Sequence, residues 1–478
     1  MKKLALIYPN QRWLKNDVNT TWDLNPVTLC QLAAMVKHMV NVFIIDAQFY
    51  DLSIGDFRKK IENIGPDYVG ISVLSSEYGE TLDISASIIK DIDKDVVVIA
   101  GGIHPTIEYE DVAWNPDVDY VVRGEGEYVL IDLLSYLDGS GILPKEGLVF
   151  IDPSNNLVVQ NQVIVSDLSS LPFPDYSYVN LHDYLVKGPR HGPLRPPELP
   201  YLRVNITRGC PFGCSFCQVE SINGKKVRYR DPVDVVDWLI SIRDEYGIKS
   251  ILFDDDQLLG KRSYFTRLLE LIIEKNLSLK FIINAFAIFL VTDEQLKLLN
   301  RAGCVGVNVA IESGSERVLK EIVMKPVKLD QAICKIKKIK EFGMFCIANF
   351  IIGFPGEKWS EIRQTISYAE NCGADYVKFF AAVPLKRTKL WDLMVDTDSY
   401  DGNIENWSVE WRFGQISSDE WSSKDVSILR AYEWDRVNFG TPEKRLRIAE
   451  LWGVSEERLD VIRKNTRDAV VSMLRGGE

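Results

Sequence analysis

The chain of 478 residues is too long for one hydrophobic core of ordinary size and fits two or three domains. Nearly half of its residues are apolar and about a quarter are charged, which excludes a disordered or fibrous chain. A formal charge of -12 excludes non-specific capture of a polyphosphate, which depends on Lys and Arg displacing counterions.

No uninterrupted apolar run approaches the roughly 18 residues that a bilayer crossing needs. The apolar start KLALIYP ends at Pro9, too early for a secretion leader, and predicts a first strand. The sequence therefore predicts a cytoplasmic protein without a nucleic-acid partner or membrane span, in which clustered cysteines stay reduced.

Over residues 1–140, short apolar runs (KLALIYP, NVFIIDA, DYVGISVL, VVVIAGG, VDYVVRGEGE) alternate with helical patterns such as NPVTLCQLAAMVKHM. Strands separated by helices predict a doubly wound parallel sheet, because parallel neighbours need a crossover. Ligands bind such sheets beyond the carboxyl ends of the strands, which singles out Ser75 and Ser76, Gly101, Gly102 and His104, and Gly124, Glu125 and Gly126. Residues 141–200 predict a connecting segment, rich in Pro from Pro172 to Pro200.

Residues 201–385 carry six further strand patterns with helices between them, enough for an open partial (β/α)6 barrel of the TIM type but not for a closed eight-stranded one. Residues 386–478 read as a helical region holding six of the chain's eleven tryptophans, Trp391, Trp407, Trp411, Trp421, Trp434 and Trp452, expected to form an aromatic core. The fold class is α/β with two parallel-sheet domains in series and a helical end.

Three of eight cysteines fall within RGCPFGCSFCQ, at Cys210, Cys214 and Cys217, directly after a strand. Gly209 and Gly213 let the backbone curl around whatever the sulfurs hold. A structural zinc site or fully ligated iron-sulfur cluster needs four ligands. Cys304 is far downstream and His191 lies upstream across the Pro-rich segment, so the set has an open position, as in catalytic metal sites. The remaining cysteines Cys304, Cys334, Cys346 and Cys372 lie in or beside apolar or helical runs, where a small buried hydrophobe is the default.

This loop resembles the signature of radical SAM enzymes. The resemblance implies that Cys210, Cys214 and Cys217 bind a [4Fe-4S] cluster whose fourth iron is chelated by S-adenosylmethionine (SAM). One electron then splits the sulfonium bond, and a 5'-deoxyadenosyl radical abstracts hydrogen from an unactivated carbon. ILFDDDQ places Asp254, Asp255 and Asp256 where the family carries polar or acidic groups near the methionine amine, although any one of these adjacent carboxylates also fits a solvated turn. NVAIESGSERVL resembles the family's fourth strand, with Glu312 and Ser313 approaching SAM, and FIIGFPGE the fifth, with Gly353 and Glu357 shaping a turn beneath it. Phe216 matches the position whose backbone meets the adenine.

The amino-terminal stretch AGGIHPT followed by VDYVVRGEGE resembles the B12-binding (cobalamin) domains that precede many radical SAM barrels. The DxHxxG pattern that supplies a cobalt-ligating histidine is not in the sequence, and NQRWLKNDVNTTWDLNP follows the first strand instead. His38 reads as a helix-surface residue, and His104 fits either a cobalamin contact or a turn-stabilising role.

The resemblance implies a cobalamin-dependent methyltransferase acting on an unactivated carbon of a small-molecule or lipid intermediate, supplied by an electron donor such as flavodoxin or ferredoxin. The alternative is a radical SAM dehydratase, epimerase or rearrangement enzyme whose B12-type domain is only a scaffold. A methylthiotransferase would need three further cysteines in the first domain, where only Cys30 is present. A non-catalytic B12 or iron-sulfur sensor would need an output domain, and no basic recognition helix is evident.

Overall fold

The computed structural model describes residues 1–14, 24–187, 198–404, 407 and 409–475. His191 and the segment from Lys15 to Asp23 lie outside the described residues, as do Pro189, Pro193, Pro196 and Pro197. The chain forms two compact units, one of Met1–His191 with Ser221–Gly224 and Arg228–Asp231, the other of the remainder.

The first unit is built on strands β1 (Lys3–Tyr8), β2 (Asn41–Asp46), β3 (Tyr68–Val73), β4 (Val97–Gly102), β5 (Tyr120–Val122), β6 (Leu148–Ile151) and β7 (Leu157–Val159), in the sheet order β2-β1-β3-β4-β5-β6-β7. The first five are mutually parallel. The run Leu4 to Ile7 is buried throughout, as expected of a central parallel strand covered on both faces. On one face Ala5, Ile7, Val69, Ile71 and Val98 pack with Phe57, Ile61, Leu82 and Ile89 from the helices Ile54–Ile64 and Glu80–Ile92. On the other, Leu4, Leu6, Tyr68, Ile99 and Val122 meet Leu29, Ala33, Leu130 and Leu133 from Val27–Val36 and Gly126–Leu137. Local sequence sets the helix ends. Ser53 accepts the Asp56 N–H at the start of Ile54–Ile64, and Gly65 stops that helix in the left-handed region at φ +55°.

Of residues 141–200, those up to Lys187 are described within the first unit. They begin with a hairpin, β6 and β7, that extends the sheet antiparallel from β5. Asp152 accepts the backbone N–H groups of Ser154 and Asn156 to shape its turn, and Asn155 adopts φ +62°. Beyond it, Leu168 and Leu171 are buried with Val165, and the Asp175 N–H bonds to the Cys30 carbonyl. Up to Lys187 the segment is thus packed into the first unit.

The second unit holds β8 (Tyr201–Val204), β9 (Ser250–Phe253), β10 (Lys280–Phe286), β11 (Cys304–Glu312), β12 (Phe345–Ile352) and β13 (Tyr376–Ala381), all parallel and adjacent in chain order. Sequential order is that of a barrel wound one way, and six strands leave it open between β8 and β13. The helices Ser423–Phe439, Pro442–Trp452 and Glu456–Arg475 follow, and Phe439, Ile448 and Leu459 pack with Trp434 and Trp452 on Ile347 and Tyr376. Trp434 donates to the Tyr376 hydroxyl at 2.6 Å, and Trp421 donates to the Glu357 carbonyl at 2.7 Å. Trp411 is exposed and outside this aromatic packing. Cys30, Cys304, Cys346 and Cys372 are buried, whereas Cys334 is exposed on the helix Leu329–Glu341, against expectation.

Candidate active site

The cysteine loop begins just after β8, and the acidic run after β9 fixes its entry. Asp255 Oδ1 accepts the Ile206 N–H at 2.7 Å, the Thr207 N–H at 2.6 Å and the Thr207 hydroxyl at 2.9 Å. Asp256 Oδ2 accepts the Gly209 N–H at 2.8 Å. Gly209 and Gly213 turn the chain at φ +92° and +59°, values that favour glycine. The far side of the loop is tied by Ser215 N–H to the Val323 carbonyl at 3.0 Å, by Leu390 N–H to the Ser215 carbonyl at 2.8 Å, and by the Gln218 amide to the Lys386 carbonyl at 2.9 Å.

Burial raises all three thiols, Cys214 to about 11 and Cys217 to about 12, while Lys325 pulls Cys210 and Cys214 the other way. Such thiols are donors that a metal centre deprotonates as it binds. Among the described residues no three His, Cys, Asp or Glu side chains gather closely enough for a single metal ion. A cubane cluster takes one thiolate at each of three irons, so this donor set fits a cluster better than zinc.

Beside the loop, Lys325 Nζ and Glu312 Oε1 form a buried ion pair at 2.7 Å. Burial alone would lower Lys325, but Glu312, Cys214 and Cys217 outweigh it and hold the ammonium above its ordinary range. Glu312 stands at φ +74°, a left-handed backbone that a non-glycine residue keeps only where its surroundings compel it.

The other candidates in this unit fall into two groups. Asp254 lies among polar groups of the inner sheet face, bonded to Arg203 Nε at 2.6 Å and to the Asn284 amide at 3.0 Å. Phe216 is half-buried with its ring 6.3 Å from that of Phe354. Asp255, Ser313 and Glu357 serve the backbone instead. Asp255 braces the loop as described, and the buried Ser313 hydroxyl meets Thr365 at 3.0 Å and accepts the Ser315 N–H. Glu357 Oε2 accepts the N–H groups of Gly353 and Phe354 at 2.8 and 3.1 Å, closing the turn in which Gly353 takes φ +84°.

In the first unit, Ser75 caps the one-turn helix Ser76–Tyr78, and the Ser76 hydroxyl is buried without a partner among the described residues. A Cβ at Gly101 would meet nothing within 4 Å, so the carboxyl end of β4 borders open space there. Such a bare strand end suits the close approach of a large flat ligand. At Gly102, φ +98°, a Cβ would lie 2.6 Å from the Val73 carbonyl oxygen. His104 sits in the short helix Ile103–Ile107 rather than a turn, its ring against Gly79. His38 is exposed just past its helix.

Gly124 and Glu125 are engaged within their own unit. A Cβ on Gly124 would lie 2.3 Å from the Val163 carbonyl oxygen, and the Glu125 carboxylate is held by Arg228 and the Val165 N–H. Gly126 opens the helix Gly126–Leu137, packed near Val122 and Leu32.

Sequence reasoning missed Lys325, Arg203, Asn205, Asn284, Asn308, Asn349 and Lys378. The last six share a signal: each is a polar residue inside an apolar barrel-strand pattern, as in YLRVN, FIIN, GVNVA, IANF and YVKF. A parallel strand covered on both faces reads as continuously apolar, so such a residue marks an inner face that is not filled by core.

Two family models match the chain, the radical SAM superfamily over residues 204–369 and the B12 binding domain over residues 18–134. An uncharacterised methyltransferase of Pyrococcus horikoshii is 31% identical over 403 residues, covering 83% of each chain. Cytidylyl-2-hydroxyethylphosphonate methyltransferase of Streptomyces wedmorensis is 27% identical over 423 residues, 81% of this chain and 78% of the relative. The solved structure of the cobalamin-dependent SAM radical enzyme OxsB, with aqua-cobalamin and SAM bound, shares the fold at TM-score 0.74 and 16% identity, covering 98% of this chain and 72% of that one. Among the described residues no helix is long and apolar enough to cross a membrane. The chain belongs to the radical SAM superfamily, among the members that carry a B12-binding domain ahead of the barrel and work with a [4Fe-4S] cluster, SAM and cobalamin.

Proposed function

We propose that the protein is a cobalamin-dependent radical SAM methyltransferase that acts on an unactivated carbon of a small-molecule or lipid intermediate. The observation that carries this reading is the three-thiol loop, clamped at its entry by Asp255 and Asp256 and lying in a chain whose relatives of similar length are named methyltransferases. When bound, the three cofactors supply one-electron cleavage of SAM, hydrogen abstraction and the methyl group.

The chain's own residues hold and orient. Cys210, Cys214 and Cys217 hold the cluster, and the Asp255 and Asp256 carboxylates fix the loop's register. The Lys325 ammonium offsets negative charge gathered at Cys214 and Cys217. The Glu357 brace keeps the Gly353 turn open to a nucleoside, with Phe216 as its neighbour. At the strand ends of the first unit, Ser75, Ser76, Gly101, Gly102 and His104 make the wall for the corrinoid, within an amino-terminal cobalamin domain of about residues 1–140 as the sequence suggests. A one-electron donor such as flavodoxin or ferredoxin would supply the electron that the cluster needs when bound.

The test uses the full chain loaded anaerobically with iron, sulfide and cobalamin. Reductant and SAM are expected to release S-adenosylhomocysteine in proportion to bound corrinoid, and 5'-deoxyadenosine once a substrate is present. Replacing Cys210, Cys214 and Cys217 together by Ala is expected to abolish the brown iron-sulfur absorption. Full cluster retention in that variant would overturn the ligand assignment. Deoxyadenosine without homocysteine would favour the reading in which the first domain is a scaffold.

A further inference from the structure

We propose that Lys378, with the amide of Asn349 next to it on the inner face of the barrel sheet, receives an anionic group of the substrate, a carboxylate, phosphonate or phosphate. This rests on the reading of the barrel interior as the reaction chamber.

The register places both residues. Asn349 pairs with Lys378 across β12 and β13, and Ala310 pairs with Asn349 across β11 and β12, so all three share one face. The following residues, Phe350 and Phe379, lie 5.9 Å apart between ring centroids, and Phe350 meets Tyr368 of the helix Trp359–Asn371. Those rings define the outer, helix-covered face, and Asn349 and Lys378 point the other way. Along β13, Val377, Phe379 and Ala381 are buried while Lys378 and Phe380 are partly accessible, the pattern of a strand whose inner face borders space.

Charge distinguishes Lys378 from the other cations of this interior. Arg203 is neutralised by Asp254, whose second oxygen takes the Asn284 amide, and Asn308 donates to Asn284 at 3.4 Å. Lys325 has Glu312 at 2.7 Å. Lys378 has no hydrogen-bond or ion-pair partner among the described residues, and Asn349 Oδ1 is buried and unpartnered. Burial lowers the Lys378 ammonium to about 8, with no carboxylate to offset it. A desolvated cation without a partner is destabilising, and an incoming anion relieves that penalty through a charge-assisted hydrogen bond.

The carboxylate of SAM has the same chemistry as a substrate carboxylate, and the test separates the two. The cluster-loaded full chain is titrated calorimetrically with inorganic phosphate and with acetate, and SAM affinity is measured by equilibrium dialysis. Binding of at least one of the two anions is expected. Lys378→Gln is expected to weaken it at least about tenfold, the size of one lost charged hydrogen bond, and Lys378→Arg to restore most of it. SAM affinity and iron content are expected to stay unchanged in both. Asn349→Asp supplies Lys378 with an internal carboxylate, and is expected to abolish anion binding without lowering the melting temperature. The proposal is overturned by the absence of anion binding to the parent chain, by unchanged binding in the folded Lys378→Gln or Asn349→Asp chain, or by a loss confined to SAM. None of these readouts needs turnover, so a chain that binds the anion yet releases no homocysteine overturns the methyltransferase reading alone.

Discussion

Arg228 grips Glu125 through two parallel hydrogen bonds of 2.7 Å, and both side chains are no more than 5% exposed. The same Glu125 carboxylate takes the Val165 N–H at 2.7 Å, and Arg228 also donates to the carbonyls of Val165 and Asn223. Removing one partner of such a pair leaves a desolvated charge and costs about 3–5 kcal/mol. Arg228→Met is therefore expected to lower the first unfolding transition seen by calorimetry, and Glu125→Gln to do so less, because an amide still accepts the Val165 N–H. Corrinoid affinity, measured by absorbance titration well below that transition, is expected to stay unchanged in Glu125→Gln. A tenfold loss of affinity at unchanged stability would return Glu125 to the cofactor wall.

The Glu312 and Lys325 pair is also buried, and here a double variant separates the energetic contributions. Lys325→Met alone strands Glu312 beside the cysteine loop and is expected to destabilise the chain by about 3–5 kcal/mol. Combined with Glu312→Gln it is expected to recover more than half of that loss, because no uncompensated charge remains. Urea unfolding of the four chains gives the coupling energy. Simple additivity of the two single variants would show that the pair carries no interaction.

Much of this architecture is legible in the residues, and what is not has an identifiable physical reason. The five parallel strands of the first sheet stand out as apolar runs closed by turn residues, and the cysteine loop by its spacing. The hairpin Leu148–Val159 does not stand out, because GLVFIDPSNNLVVQ borders a Pro-rich stretch whose composition suggests a linker. Antiparallel strands need only a tight turn, which Asp152 and Asn155 supply. Motif residues mark the right loops but not the direction of each side chain. Thus Asp254 faces the polar interior while Asp255, one residue on, faces the backbone of Ile206 and Thr207. Glu125 is decided by Arg228, a partner 103 residues away that no local pattern reveals.

Gly101 and Gly102 are adjacent yet make opposite predictions. Gly101 has open space where a side chain would stand, so Gly101→Leu is expected to change stability by no more than about 0.5 kcal/mol, as at an unconstrained surface position. If the corrinoid lies against this strand end, the same change is expected to weaken its binding at least about tenfold. Gly102→Ala places a methyl 2.6 Å from the Val73 carbonyl oxygen in a left-handed backbone, and is expected to destabilise by about 1–3 kcal/mol. Absorbance titration and thermal unfolding distinguish the two. Normal corrinoid binding by Gly101→Leu would move the cofactor off this wall.

The buried carboxyl of Glu357 makes stability depend on pH. Burial raises it from an ordinary 4.5 to about 8, with the N–H groups of Phe354 and Gly353 opposing, Glu361 adding and Arg317 opposing more weakly. Its folded value lies above its unfolded one, so between about pH 4.5 and 8 the native chain keeps a proton that the unfolded chain has released. The contribution is full below that window and falls as pH rises through it, by at most about 1.4 kcal/mol per pH unit. Glu357→Gln accepts the same two N–H groups through its amide oxygen and does not titrate. Relative to the parent chain it is expected to gain stability steadily from pH 5 to pH 8 in urea unfolding series. A difference that is flat over that range would mean that the carboxyl is already ionised in the folded protein, held by the turn it closes.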